Sequence, residues 1–233
     1  MNNDSTMFLI LCSALVLFMT PGLAFFYGGL VRASSVVSMM MLSFGSLGLI
    51  GVLWIAFGYA VSFGAAGVGH FFGWSGVFGI DLDKLFVNDA VQRALAGDGS
   101  QLAAAGFQGT FAIITVALIS GAVADRVRFG TWMTFAGIWA VLVYFPVAGW
   151  VFNPQGWLAQ FGLKDFAGGT VVEVASGASA LALALVVGKR FGFAKGMHAP
   201  HNVPLVPFGA GILWFGWLGF NAGSELVADG AAT

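Results

Sequence analysis

Six long apolar runs are the feature of this sequence that most constrains its fold. A helix needs about 20 mostly apolar residues to cross the hydrocarbon core of a bilayer. The candidates are roughly Met7–Gly28, Val37–Phe63, Leu102–Val123, Phe129–Phe152, Thr170–Val187 and Val203–Gly223. Because a backbone in lipid must satisfy its own hydrogen bonds, runs of this length are expected to be helices. The sequence therefore predicts an all-α integral membrane protein with about six transmembrane helices, here called spans 1 to 6.

The composition supports a membrane protein and argues against other classes. Only 8% of the residues are charged, against about 25% in an ordinary soluble domain. The formal net charge of -1 gives no reason to expect nucleic acid as a partner. Glycine lets helix backbones approach closely in membrane bundles, so Gly216, Gly219 and Gly223 predict close packing along span 6. The N-terminus lacks the basic region of a cleaved signal peptide, so span 1 is expected to be retained.

Basic residues predict how the spans are oriented. Short cytoplasmic loops carry an excess of Lys and Arg. Connections one, three and five hold Arg32, Arg126, Arg128, Lys189, Arg190 and Lys195, whereas connections two and four hold Lys84, Arg93 and Lys164. This bias places the N-terminus outside the cell. The second connection, Gly67 to Ser100, is predicted to be a polar loop with a short helix of its own.

One acidic residue, Glu173, lies a few residues inside span 5. A charge at mid-membrane costs at least about 3 kcal/mol, and such residues usually face a cavity and act in transport or proton handling. Two interpretations remain open from the residues alone. Glu173 is either an interfacial carboxylate that reaches back to water, or a pore group that accepts a proton or binds a cation. Asp165, just before a Gly-Gly-Thr sequence, suits the capping of the span's N-terminus.

Aromatic residues gather near the predicted outer ends of four spans. In span 6, Trp217, Phe220, Asn221 and Ser224 follow at i, i+3, i+4 and i+7 and share a helix face. Aromatic faces attract small cations, and a hydroxyl can accept a hydrogen bond, yet an interfacial aromatic belt explains the stripe equally well. The same ordinary interpretations, buried packing and interfacial anchoring, apply to further aromatic residues: Phe107 and Phe111 in span 3, and Trp150, Phe152 and Trp157 after span 4. Because these aromatic groups all lie near the outer ends of their spans, we nevertheless favour a vestibule that recognises a cation, followed by an inward path past Glu173.

Catalysis and cofactor binding have no support in the sequence. It contains no Walker motif, nucleophile elbow, HExxH or dinucleotide fingerprint, so we expect neither an enzyme nor a cofactor. His198 and His201 occur together without further ligands nearby, and we expect no metal there. The single cysteine, Cys12, excludes an internal disulfide.

Several segments resemble signatures of the Amt/Mep/Rh family of ammonium transporters. They are TPGLAFFYGGLVR, FQGTFAIITVALISGAVADRVRF, DFAGGTVVEVASG, PHNVP and GWLGFNAGSEL, and the similarity runs through nearly the whole chain. The resemblance implies transport by recruitment of ammonium, deprotonation, and separate passage of ammonia and proton along a narrow hydrophobic path.

The resemblance also assigns roles to individual residues. Phe111 and Phe220 would form a stacked phenylalanine gate, and Trp217 and Ser224 would line the recruitment site. Phe152 stands where the family typically has a tryptophan wall, with Trp150 as a possible substitute. Asp165 would order the outer end of span 5 without touching substrate.

Glu173 departs from the family pattern, since most members carry the first of two pore histidines there. We predict a Glu–His pair in its place, with a shifted pH dependence and weaker exclusion of other monovalent cations. Family members have about eleven spans in two inverted halves. Residues 1–233 would therefore be the five helices of the first repeat plus helix 6, with the C-terminal half absent. The resemblance further implies a homotrimer in the cytoplasmic membrane and a PII-type regulatory partner. The alternative is the membrane domain of an ammonium sensor.

Overall fold

The computed structural model describes residues 3–64, 70–71, 74–75, 79–190, 192–193 and 199–232. Within these residues, six helical segments are long and apolar enough to cross a membrane: Asn3–Leu30, Ala33–Phe63, Ser100–Val123, Phe129–Val151, Gly169–Val187 and Leu205–Gly223. The prediction of six spans is confirmed, with some ends displaced by a few residues. Spans 1, 2 and 3 begin earlier than predicted because polar residues continue each helix before the apolar run that hydropathy detects.

Three spans are interrupted by a wider, π-helical turn. These turns are Trp54–Gly58 in span 2, Ala140–Tyr144 in span 4 and Gly169–Val174 at the start of span 5. The regular α-helices among the described residues are Asn3–Leu30, Val36–Leu53, Tyr59–Phe63, Asn88–Leu95, Ser100–Ile119, Phe129–Trp139, Phe145–Val151, Trp157–Gln160, Ala175–Val187 and Leu205–Gly223. Single π-turns inside helices occur often at functional sites, and the third one contains Glu173.

The loop between spans 2 and 3 contains the expected short helix, Asn88–Leu95, together with a 3-10 turn at Leu82–Val87. It also contains two short antiparallel strands, His70–Phe71 and Trp74–Ser75, which the all-α prediction did not include. This loop lies outside the spans, where a two-residue ladder can form without the closed hydrogen bonding that lipid demands.

Contacts between loops show that alternate connections lie at the same end of the bundle. Three contacts join connections one, three and five: the Arg32–Asp125 ion pair at 3.7 Å, a hydrogen bond from Arg126 to the Gly188 carbonyl, and one from the His201 N–H to the Val31 carbonyl at 3.3 Å. We call this the basic end. At the opposite end, Asn153 Nδ2 donates to the Gly64 carbonyl at 2.9 Å.

Span 3 forms the centre of the bundle and packs against spans 1, 2 and 5. It is the most deeply buried of the six spans. The Trp54 indole of span 2 donates to the Ala105 carbonyl of span 3 at 3.0 Å. These contacts hold the segment that carries Phe107 and Phe111 in a fixed position at the opposite end.

Span 6 packs closely along span 1 through its glycines, as predicted. A Cβ atom on Gly209 would lie 2.6 Å from the Gly22 carbonyl oxygen, and one on Gly216 would lie 2.8 Å from the Leu15 carbonyl oxygen. A side chain at either position would therefore push the two helices apart. This approach brings the end of span 6 against the start of span 3.

Candidate functional site

Two phenylalanine rings stack between spans 3 and 6 near the opposite end. The ring centroids of Phe111 and Phe220 are 4.0 Å apart and the ring planes differ by 19°. Both side chains are buried, with 1% and 2% of their surface exposed. Phe107 and Phe152 meet the Phe111 ring edge-on at 4.8 and 6.3 Å. A stack this close leaves no room for water between the two rings.

Trp217 and Ser224 flank Phe220 along the chain, three residues before it and four residues after it. The Trp217 ring is 5.8 Å from Phe220 and 40% of its surface is exposed. It lines a concavity of about 330 Å³ together with Asn221. The Ser224 hydroxyl donates its proton to the Phe220 carbonyl at 2.8 Å. Because that proton is used, the Ser224 oxygen is left as an acceptor for an N–H donor.

The Asp165 carboxylate organises the start of span 5. Its Oδ1 accepts from the Gly168 N–H at 2.7 Å, and its Oδ2 accepts from the N–H groups of Thr170 and Val171 at 2.7 and 3.1 Å. Gly168 has a φ of 93°, which L side chains rarely adopt. A Cβ there would lie 3.5 Å from the Phe111 ring. The loop that Asp165 holds therefore reaches the aromatic stack.

Glu173 lies in the π-turn that opens span 5. Its N–H donates to the Gly168 carbonyl at 3.3 Å, five residues back. The side chain is half-buried, and its Oε2 is buried without a hydrogen-bond partner among the described residues. A buried carboxylate oxygen with a free lone pair can accept a proton or a hydrogen bond.

The two candidates after span 4 have different neighbours. Phe152 touches the edge of the Phe111 ring, as described above. The Trp150 ring lies 5.9 Å from Trp157, and both Trp150 and Phe152 are half-buried. The structure thus brings Phe111, Phe152, Trp217 and Phe220 into one aromatic cluster.

Two residues near this cluster were not found by sequence reasoning. The first is Gly168, and the Gly-Gly pair after Asp165 could have indicated a backbone that passes close to other groups there. Tyr144 is fully buried, and its hydroxyl has no hydrogen-bond partner among the described residues. A tyrosine in an apolar run carries no sequence signal of this kind, because its neighbours come from other spans.

The histidines show no arrangement of metal ligands in the part of the chain that the structure describes. His201 Nδ1 lies 2.9 Å from the Val31 carbonyl oxygen, and His198 falls outside the described residues. No group of three or more His, Cys, Asp or Glu side chains among the described residues could hold a metal ion.

Comparison with known proteins gives a consistent result. The profile of the Ammonium Transporter Family matches residues 7–233. An ammonium transporter of Mycobacterium tuberculosis is 48% identical over 248 residues, which cover 99% of this chain and 52% of the relative. An ammonium transporter of Bacillus subtilis is 44% identical over 235 residues, which cover all of this chain and 55% of the relative. The chain therefore spans about half the length of the curated relatives it matches.

Solved structures agree with the sequence comparison. The G343C mutant of Candida albicans Mep2 superimposes with a TM-score of 0.85 at 31% identity, covering all of this chain and 50% of Mep2. A solved Sensor Amt Protein gives a TM-score of 0.86 at 28% identity, covering 99% of this chain and 56% of that protein. Since the family profile extends over nearly the whole chain and the six spans have the same fold as these structures, the chain belongs to the Ammonium Transporter Family.

Proposed function

We propose that the intact protein moves ammonium or ammonia across the cytoplasmic membrane. The observation that carries this proposal is the buried Phe111–Phe220 stack, with the Trp217 ring beside Phe220 and the Ser224 hydroxyl bonded to the Phe220 carbonyl. Family membership supports the same function, because the similar proteins from Mycobacterium tuberculosis and Bacillus subtilis are named ammonium transporters.

Recruitment of the cation is the first step of the proposed mechanism. An aromatic ring face attracts a small cation by about 0.5–2 kcal/mol, more when the site is dry, and Trp217, with 40% of its surface exposed, offers such a face. The Ser224 oxygen accepts one N–H of the ammonium ion. Phe152, assisted by Trp150, forms the far wall of this vestibule.

Deprotonation follows because the stack admits little water. A cation that loses its hydration in an apolar passage is strongly destabilised, whereas neutral ammonia is not. One N–H bond of ammonium breaks, ammonia continues along the apolar path, and the proton passes to a carboxylate oxygen of Glu173. We predict that Glu173 forms a proton relay with a histidine from the remainder of the protein.

The surroundings of the pore are part of the same proposal. Spans 5 and 6 are the least buried of the six, at 17% and 22%, so their faces are available to further protein. We infer that the remainder of the intact protein covers the Glu173 side of span 5. The N-terminus is placed outside the cell, and the assembly is a homotrimer that a PII-type protein regulates at the basic end.

Ammonium sensing is the second candidate, favoured by the match to a Sensor Amt Protein. A sensor would bind ammonium in the same vestibule and pass the signal to another domain without comparable flux. Transport is preferred because the curated relatives cited above are named transporters.

Uptake by the intact protein in cells without other ammonium transporters tests the proposal. The variant Phe220→Leu keeps an apolar side chain but removes one face of the stack. Because the exposed Trp217 ring packs against Phe220, we expect the variant to displace it and the apparent affinity for ammonium to fall by about 2- to 30-fold, the equivalent of one cation–π contact. The matched control is Phe215→Leu on the same helix, because Phe215 makes no ring contact with the stack among the described residues.

The two candidate functions give different results in this assay. Saturable uptake that Phe220→Leu weakens and Phe215→Leu leaves unchanged supports transport. Ammonium binding without uptake supports the sensor. Equal effects of both substitutions would contradict a role for the stack in either function.

A further inference from the structure

A second cavity lies at the basic end, far from the aromatic stack. It has a volume of about 420 Å³ and lies between the start of span 2 and the loop that joins spans 3 and 4. Its polar lining consists of three arginines and three serines: Arg32, Arg126, Arg128, Ser34, Ser35 and Ser38. Asp125 is the acidic residue among the described lining residues, and it pairs with Arg32 at 3.7 Å. The cavity therefore carries an excess of positive charge.

The neighbours of the arginines neutralise their charge only in part. The Nε atoms of Arg32 and Arg126 are buried and have no hydrogen-bond partner among the described residues. Arg126 donates through its Nη atoms to the carbonyls of Gly188 and Ala122. Burial and the nearby Arg190 lower the pKa of Arg126. An anion in the cavity would offset the repulsion between these like charges.

The serines lie where span 2 begins, at Ala33. The first N–H groups of a helix have no partner within the helix, and its dipole favours an anion at this end. Arginine and hydroxyl groups together suit a phosphate, because each phosphate oxygen accepts several hydrogen bonds. Two apolar residues, Leu42 and Val127, complete the lining and suit a carbon chain attached to the phosphate.

We propose that this cavity binds a phosphate group, carried by the headgroup of an anionic phospholipid or by a small phosphorylated solute. Basic pockets between helices on the cytoplasmic side of a membrane recognise anionic headgroups, and the excess of Lys and Arg in connections one, three and five predicts that side here. The site is separate from the aromatic cluster, so the proposal does not depend on ammonium transport.

The test uses the purified full chain and two probes. The first probe is phosphatidylglycerol in nanodiscs of phosphatidylcholine, with bound lipid counted by native mass spectrometry. The second is glycerol phosphate in solution, titrated by calorimetry. The test variant is Arg128→Gln, at an exposed residue of the cavity, and Ser38→Ala is a second variant that keeps all charges. The matched control is Lys164→Gln, which removes an exposed positive charge at the opposite end.

We expect binding of one probe to be about fivefold weaker in Arg128→Gln, which corresponds to about 1 kcal/mol for one basic residue near a membrane surface. The control is expected to bind as the unmodified chain does. Selective binding of phosphatidylglycerol identifies the source as a lipid, and binding of glycerol phosphate identifies a soluble one. The proposal is overturned if neither probe binds, or if the two charge-removing variants lose the same amount of binding.

Discussion

Replacing Asp165 with asparagine tests how far one carboxylate holds the start of span 5. The carboxylate uses both oxygens, with Oδ1 accepting from Gly168 and Oδ2 accepting from Thr170 and Val171. Asparagine has one carbonyl oxygen, so its NH2 group must face at least one backbone N–H. A substitution that conserves shape therefore replaces a hydrogen bond with two opposed donors.

The cost follows from these bonds. Loss of one hydrogen bond to a charged group costs about 1.5–3 kcal/mol. Loss of the charge at the helix N-terminus adds about 0.3–1 kcal/mol. The sum, roughly 2–4 kcal/mol, corresponds to a fall in melting temperature of roughly 5–15 °C for a chain of this size.

Thermal unfolding of the purified chain in detergent, followed by tryptophan fluorescence, measures this fall. The control is Asp229→Asn, because the Asp229 side chain is exposed and makes one described bond, from the Ala231 N–H at 2.9 Å, which asparagine can keep. We expect the control to melt within about 1 °C of the unmodified chain, as surface changes usually do. An Asp165→Asn variant that melts with the control would refute the reasoning.

Two further predictions concern the proton relay and the packing of spans 2 and 4. In the intact protein, Glu173→Gln removes the proton acceptor, so we expect slower ammonium uptake and an altered pH profile. The control Glu225→Gln is expected to keep the uptake rate and the pH profile of the unmodified protein. An unchanged pH profile in Glu173→Gln would contradict the relay. In the isolated chain, Trp132→Phe removes an indole that donates to two acceptors on span 2 at 3.0 and 3.2 Å. We expect denaturant unfolding to show a loss of about 1–2 kcal/mol, and Trp214→Phe, at a ring that is 78% exposed, to cost less.

The spans could be predicted because hydropathy is a local property. A run of about 20 apolar residues has few alternatives to a membrane helix, and every span was located within a few residues. The strands at His70–Phe71 and Trp74–Ser75 were missed because two residues form no pattern that can be read along a chain.

The candidate site was predictable in part. Successive spans cross the membrane in opposite directions, and this indicated that Phe111, Phe220 and Glu173 lie near the same end of the bundle. The stacking of the two rings was predicted from the family resemblance and not from hydropathy, because ring contact, here at 4.0 Å, depends on how each helix is rotated about its axis.

The sequence by itself determined the number, order and lengths of the spans, since each of these depends on residues that are adjacent in the chain. The tertiary structure alone decided which faces meet. The glycine contacts between spans 1 and 6 bring Phe220 against Phe111, and the three hydrogen bonds of Asp165 bring Gly168 to the same ring. The contacts that Gly168 and Phe220 make with Phe111 join residues more than 50 positions apart, and they arise from the packing of helices that hydropathy describes one at a time.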